Sequence, residues 1–156
     1  MTTRPGAAGP QRSLRGFDPI TIVLADDHEA LRAGVRLLLD AEDDLEVVAD
    51  AADAEAALRS VLAHQPSVLV LDLNMTGQLT SLAAIPQVRD QSPDTAVVIL
   101  TMQEDPSFAH HALRAGALGY VLKDAATAEL VVAIRRAAAG ETYLTPGLGA
   151  GVVAAG

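Results

Sequence analysis

The sequence predicts a doubly wound α/β sandwich in which five parallel strands alternate with five helices. Three observations carry this. Apolar, strand-sized runs recur at 20–25, 45–49, 67–71, 95–100 and 118–122, starting 22 to 28 residues apart. Four of the five are rich in Val and Ile with little alternation, as suits strands covered on both faces of a parallel sheet. The stretches between them carry helical signals, and β and α segments in strict alternation imply right-handed crossovers.

Taken in order, the run 20–25 is the first strand. Leu31, Val35, Leu38 and Leu39 then follow the i, i+4, i+7, i+8 spacing of one helical face. After the second strand, Asp53 is placed to cap a helix with Ala57, Leu58, Val61 and Leu62 inward, and Pro66 lies beyond its end. The third helical segment, 77–91, contains Pro86 in its middle, which predicts a short or irregular helix. Asp105-Pro106 reads as an N-cap followed by proline at the first helical position. Thr127 is placed to cap a last helix with Leu130, Val131, Ile134 and Ala138 inward; Arg135 and Arg136 complement its dipole and Gly140 stops it. Residues 1–19, rich in Gly, Pro, Ala and Arg without periodicity, read as a disordered tail. The folded domain is expected over 20–140, with 141–156 a linker-like tail.

At 156 residues the chain has room for one domain with a sizeable core. Half the residues are apolar but only 3% aromatic, so that core is made of Leu, Val, Ile and Ala. The absence of cysteine excludes disulfides and Cys-based zinc sites. A formal charge of −9, from 20 acidic and 11 basic residues, disfavours binding to a nucleic-acid backbone. The apolar runs fall far short of the ~20 residues of a membrane helix. The run after Arg4, Arg12 and Arg15 is too short and too quickly charged for a signal peptide. A soluble cytoplasmic protein with no membrane contact is expected.

The residues just past each strand are the informative feature. Asp26, Asp27 and His28 come after the first; Asp72, Leu73 and Asn74 after the third; Thr101 after the fourth; Lys123 after the fifth. All strand C-termini of a parallel sheet share one edge, where open α/β sheets bind ligands. Three carboxylates, a hydroxyl and an ammonium therefore converge, while Asp50, after the second strand, looks like a bystander. Clustered carboxylates repel unless a cation sits among them, and a hard, oxygen-liganded ion such as Mg²⁺ fits. A carboxylate beside Mg²⁺ is also a competent nucleophile for phosphoryl transfer, with Lys123 and Thr101 placed to compensate the new oxygens.

Each residue taken singly has a plainer reading. Asp26–Asp27 serves equally well as a helix cap with a solvated neighbour, Asp72 as a loop start, Thr101 as a strand end and Lys123 as a solvated lysine. His28, His110 and His111 are expected to face solvent, since their spacing makes no credible metal set. The case lies in the conjunction of four strand ends with compatible chemistry.

The stretches TIVLADDHEALRAGVRLLL, PSVLVLDLNM, AVVILTM and ALRAGALGYVLKDA, followed by ELVVAIRRAAAGETYL, resemble the receiver domains of bacterial two-component response regulators, particularly the NarL/FixJ (LuxR-type) group. The resemblance implies a flavodoxin-like (βα)5 sandwich with strand order 2-1-3-4-5. It implies that Asp72 is the phosphoacceptor, that Asp26, Asp27, Asp72 and the Asn74 carbonyl hold Mg²⁺, and that Asp26 acts mainly through water. It also implies that Thr101 and Lys123 sense the phosphoryl group and that Tyr120 is the aromatic switch, although a static packing role suits Tyr120 as well. The implied partners are a sensor histidine kinase as phosphodonor, a second copy of the chain, and an output domain or protein. The role is a signalling switch rather than an enzyme.

The sequence departs from the resemblance at two places. Thr76-Gly77 stands where relatives usually have proline after the Met, which with Pro86 bears on the loop and the third helix. Nothing after Glu141-Thr-Tyr-Leu-Thr-Pro supplies a recognition helix or basic cluster, so this chain by itself is not expected to bind DNA specifically. Two rival readings stand beside the phosphorylated switch. One is a phosphorylation-independent interaction module, for which the altered loop speaks. The other is a haloacid-dehalogenase-like phosphohydrolase, against which stand Asn74 in place of a second Asp and an acidic pair that precedes the nucleophile.

Overall fold

The computed structural model describes residues 18–75 and 77–148. Most of the expected N-terminal tail, Thr76, and the chain after 148 lie outside the described residues. The elements are β1 (Ile20–Ala25), α1 (Glu29–Asp40), β2 (Leu45–Ala51), α2 (Ala54–His64), β3 (Val68–Leu71), α3 (Ser81–Gln91), β4 (Ala96–Thr101), α4 (Pro106–Ala115), β5 (Gly119–Leu122), α5 (Ala126–Ala138) and β6 (Tyr143–Leu144). The strands form one sheet in the order β2-β1-β3-β4-β5-β6, parallel at every pairing.

Alternation along the strands divides the core into two layers. Ile22, Leu24, Val68, Val70, Val98 and Leu100 face α1 and α5, where Val35, Leu39, Leu130 and Ile134 meet them. Val23, Leu69, Leu71, Val97 and Ile99 face the other way, onto small residues and short aliphatics of α2, α3 and α4 such as Ala57, Val61, Ile85 and Ala112. Both faces are thus covered, which explains the near-continuous apolar strands. Asp53 caps α2 by accepting the Ala56 N–H at 2.7 Å, and Asp105 caps α4 ahead of Pro106.

Several expectations need correction. The sheet has six strands among the described residues, not five. The chain leaves α5 through a Schellman turn, in which Gly140 (φ 83°) and Glu141 donate back to Ala137 and Arg136. It then returns along β5, where Tyr143 donates to Leu118 and Thr145 to Tyr120, and Leu148 is buried in the core. The sheet therefore extends into the segment read as a tail. Thr127 is not the cap of α5: a 3₁₀ turn over Lys123–Ala125 leads straight into the helix, whose preceding residue Ala125 makes no side-chain cap. Ala137 is buried where Ala138 was expected, and Leu62, expected inward, is 42% exposed.

The third helix is neither short nor broken. Eleven residues run through Pro86, started by Thr80, whose hydroxyl accepts the Ala83 N–H. Pro86 removes the N–H that would reach Leu82, but it sits on the exposed side, while Ala84, Ile85 and Val88 anchor the helix to the sheet. Burial of that face outweighs one missing backbone bond. Pro86→Ala is accordingly expected to stabilise the fold by about 1–2 kcal/mol, the restored helix geometry exceeding the entropy lost from the unfolded-state restraint. Urea denaturation of the two proteins checks this.

Candidate functional site

The predicted strand ends do converge. Asp26 and Asp72 lie just past the adjacent strands β1 and β3 and are both 2% exposed. Lys123, from the end of β5, reaches across the end of β4 and places its Nζ 3.0 Å from Asp26 Oδ2 and 3.1 Å from Asp72 Oδ2. The other Asp72 oxygen accepts the Asn74 N–H at 3.1 Å. Burial by itself disfavours the Lys123 ammonium, but the close contacts with Asp26 and Asp72 outweigh it and hold its pKa above the usual 10.5.

Asp27 stands at the rim of this triad. Its Oδ1 is buried yet accepts no hydrogen bond, with His28 Nδ1 3.4 Å away. Ligand atoms from Asp26, Asp27, His28 and Asp72 lie within 4.8 Å of one another. His28 is exposed, as expected, yet its ring belongs to this cluster, which its sequence spacing did not indicate. Three carboxylates face one lysine ammonium, with the exposed His28 ring as the other nearby group. A buried acceptor lacking a donor, in such a set of oxygens, fits a hard divalent cation such as Mg²⁺.

Thr101 is fully buried at the end of β4 and joins the site through side chains. Its hydroxyl accepts the Gln103 N–H at 3.2 Å and is within 3.5 Å of the Asn74 amide. Tyr120 points inward and is fully buried, and its hydroxyl donates to the Gln103 carbonyl at 2.8 Å. Burial first, and then the charge of Asp105, push its phenol pKa up out of the usual range. Gln103 thus connects Thr101 to Tyr120. Sequence reasoning missed it, and only its position two residues past a strand-end threonine pointed that way. Asp50, outside the acidic cluster, is paired with Arg36 at 2.6 Å and with Arg32 at 3.5 Å. Arg32 also donates to the Asp26 carbonyl, a main-chain contact with no sequence signature.

Residues 22–135 match the family model of the response regulator receiver domain. The chain belongs to that family. It is 43% identical over 125 residues to the oxygen regulatory protein NreC of Staphylococcus carnosus, an alignment covering 80% of this chain and 58% of the relative. NreC of Staphylococcus epidermidis matches at the same identity over 123 residues. The chain thus spans a little over half the length of the curated relatives it matches. Among solved structures, it is similar to a LuxR-family response regulator from Aurantimonas, with 34% identity, a TM-score of 0.82, and coverage of 88% of this chain and 97% of that one. It is also similar to the receiver domain of the putative response regulator NarL from Mycobacterium tuberculosis, with 33% identity, a TM-score of 0.75, and coverage of 79% and 98%. The chain is a receiver domain of the NarL/NreC type, with the flavodoxin-like fold that the resemblance implied. Among its described residues no helix is long and apolar enough to cross a membrane.

This receiver domain leans on Lys123 to keep two buried carboxylates side by side. In metal-free buffer at neutral pH, Lys123→Met is expected to lower stability by about 3 kcal/mol, because it leaves buried charge uncompensated. A raised folded pKa contributes stability that is fully present below the unfolded value and fades as pH rises through the folded one. The gap between wild type and variant should therefore stay level from neutral pH up to the usual 10.5 and close only above it. Urea titrations at stepped pH measure this directly.

Proposed function

We propose that Asp72 accepts a phosphoryl group from a phosphohistidine on a sensor kinase or from a small phosphodonor. Asp26, Asp27, Asp72 and the Asn74 carbonyl would hold Mg²⁺, which supplies charge neutralisation for the incoming phosphoryl oxygens. The observation that carries the reading is the state of Asp72. It is a buried carboxylate held at one oxygen by the Asn74 N–H and at the other by Lys123, beside an acid with an unsatisfied oxygen.

In the transfer, an Asp72 carboxylate oxygen attacks phosphorus. The P–N bond of the donor breaks, the imidazole nitrogen keeps the electron pair, and an acyl phosphate forms on Asp72. Hydrolysis of that bond later restores the carboxylate. Lys123 is placed to move its charge contact from the Asp72 carboxylate to the phosphoryl oxygens. The product adds about one net negative charge to the site. The Thr101 hydroxyl, which accepts from Gln103 and keeps its own proton to donate, is the group at hand to answer it. Because Gln103 is shared with Tyr120, the ring and the surface of α4 and β5 are biased with Thr101. The consequence is a change in self-association or in contact with an output partner. In this reading the chain acts in the cytoplasm as a switch.

Incubation with acetyl phosphate and Mg²⁺ is expected to add one phosphoryl group per chain by intact mass, and none to Asp72→Ala. An unmodified wild type, or equal labelling of the variant, overturns the assignment; continuous release of phosphate from monoesters would instead point to a phosphohydrolase. Asp27→Ala should weaken Mg²⁺ binding by about tenfold or more, measured by calorimetry without any phosphodonor.

A further inference from the structure

The segment from Asp72 into α3 has no proline before Pro86, and side-chain hydrogen bonds tie it down at two points. Glu55, on α2, takes the Leu79 N–H on its Oε2 at 3.0 Å. Gly77 (φ 134°) lies so close that a Cβ there would sit 3.1 Å from the other Glu55 oxygen. The second anchor is Ser81, the first residue of α3. It is 1% exposed, and its hydroxyl donates to the main-chain carbonyl of Asp72.

A buried hydroxyl is costly unless it is paired, and Ser81 sits on a helix whose other buried residues are Ala84, Ile85 and Val88. An apolar side chain would suit that environment. The hydroxyl's partner is not an arbitrary acceptor but the carbonyl of the residue proposed to be phosphorylated. The Asp72 N–H is held as well, by the Ala25 carbonyl at 3.0 Å. Its peptide units are thus pinned to β1 on one side and to α3 on the other. Two residues on, the Asn74 N–H closes onto the Asp72 carboxylate. The Ser81 bond thus fixes the main chain from which the Asp72 side chain departs, alongside the Asn74 N–H and Lys123 that hold its carboxylate directly.

We propose that Ser81 is a positioning residue for phosphoryl transfer: its buried hydroxyl fixes the Asp72 carbonyl and thereby aims the acceptor carboxylate. This rests on the reading of Asp72 as the phosphoacceptor. Ser81 touches no reacting atom; it acts through the main chain of Asp72. Reactions of this kind lose rate steeply when an attacking group is displaced by fractions of an ångström to an ångström.

The test compares Ser81→Ala, Ser81→Cys and Ser81→Thr with wild type in single-turnover phosphorylation by acetyl phosphate and Mg²⁺, with circular dichroism to verify folding. The Ala variant should lose about tenfold in the rate constant at saturating phosphodonor, with half-saturating acetyl phosphate unchanged within about twofold. Cys, similar in volume but a weak donor, should be slowed like Ala, whereas Thr, which keeps the hydroxyl, should recover most of the rate. A residue that only fills space at the start of α3 would change the melting temperature and leave the rate of the folded protein alone. Wild-type rates in both Ala and Cys, or an equal loss in Ala and Thr, overturn the proposal. If the Ala variant does not fold, the Cys variant carries the same comparison. A wild type that takes no phosphoryl group overturns the acceptor reading and this one with it. Normal labelling of wild type, none of Asp72→Ala, and unchanged Ser81 variants overturn this one alone.

Discussion

The structure depends on one ammonium group. Lys123 Nζ lies 3.0 Å from Asp26 and 3.1 Å from Asp72, and without it two buried carboxylates would face each other in a setting that water scarcely screens. Burying three charged groups costs several kcal/mol for each ion, and only close mutual contact offsets that. The requirement extends back into the fold. Asp26 and Asp72 can share an ammonium because β1 and β3 are neighbours, and Lys123 can supply it because its long stem spans the end of β4 from β5.

The two apolar layers make that arrangement rigid. Each strand contributes side chains to both layers in alternation, so a strand that slipped by one residue would exchange its faces and strand its terminal acid on the wrong level. The loop from β1 to α1 is only Asp26–His28, every residue of which belongs to the acidic cluster. The loop from β3 to α3 is longer, and it is tied down by Glu55 and Ser81 rather than by its own stiffness. The triad thus sits between a short, self-determined loop and a long one held from outside.

How much of this could be read from the sequence depends on the kind of partner each residue has. Asp26, Asp72, Thr101 and Lys123 were legible because a parallel sheet puts strand ends on one rim, and strand ends are visible as the points where apolar runs stop. Gln103, Ser81 and Arg32 were not, because each of these contacts has a main-chain atom at one end, and a backbone N–H or carbonyl leaves no mark on residue type. Pro86 misled for a different reason: its local penalty is real, but Ile85 and Val88 bury enough apolar surface to carry the helix past it. The strand Tyr143–Leu144 is too short to show a period. What places it is the left-handed turn at Gly140 and the free edge of β5, neither of which is a pattern in the strand itself.

On the proposed reading of Asp72 as phosphoacceptor, the same reliance on main-chain atoms would govern how the site communicates outward. Thr101 and Tyr120 share no direct hydrogen bond; each is bonded to Gln103, one to its N–H and the other to its carbonyl. A buried tyrosine hydroxyl left without an acceptor costs about 1–3 kcal/mol, so the inward ring is stable only while the Gln103 carbonyl stays where it is. The Gln103 N–H is in turn accepted by the Thr101 hydroxyl, and its side-chain amide lies 3.5 Å from Asn74 Oδ1. On that reading, movement of the Thr101 hydroxyl toward new negative charge on Asp72 would withdraw that acceptor and loosen the residue to which the ring is bonded. Beyond the ring, Thr145 donates its N–H to the Tyr120 carbonyl and takes the Leu122 N–H on its hydroxyl at 3.1 Å. The β5 segment between the ring and Lys123 is therefore braced from its outer edge. Coupling here needs no continuous path of side-chain contacts. It would need only that one residue, Gln103, serve two buried groups whose requirements differ under the proposed phosphorylation of Asp72.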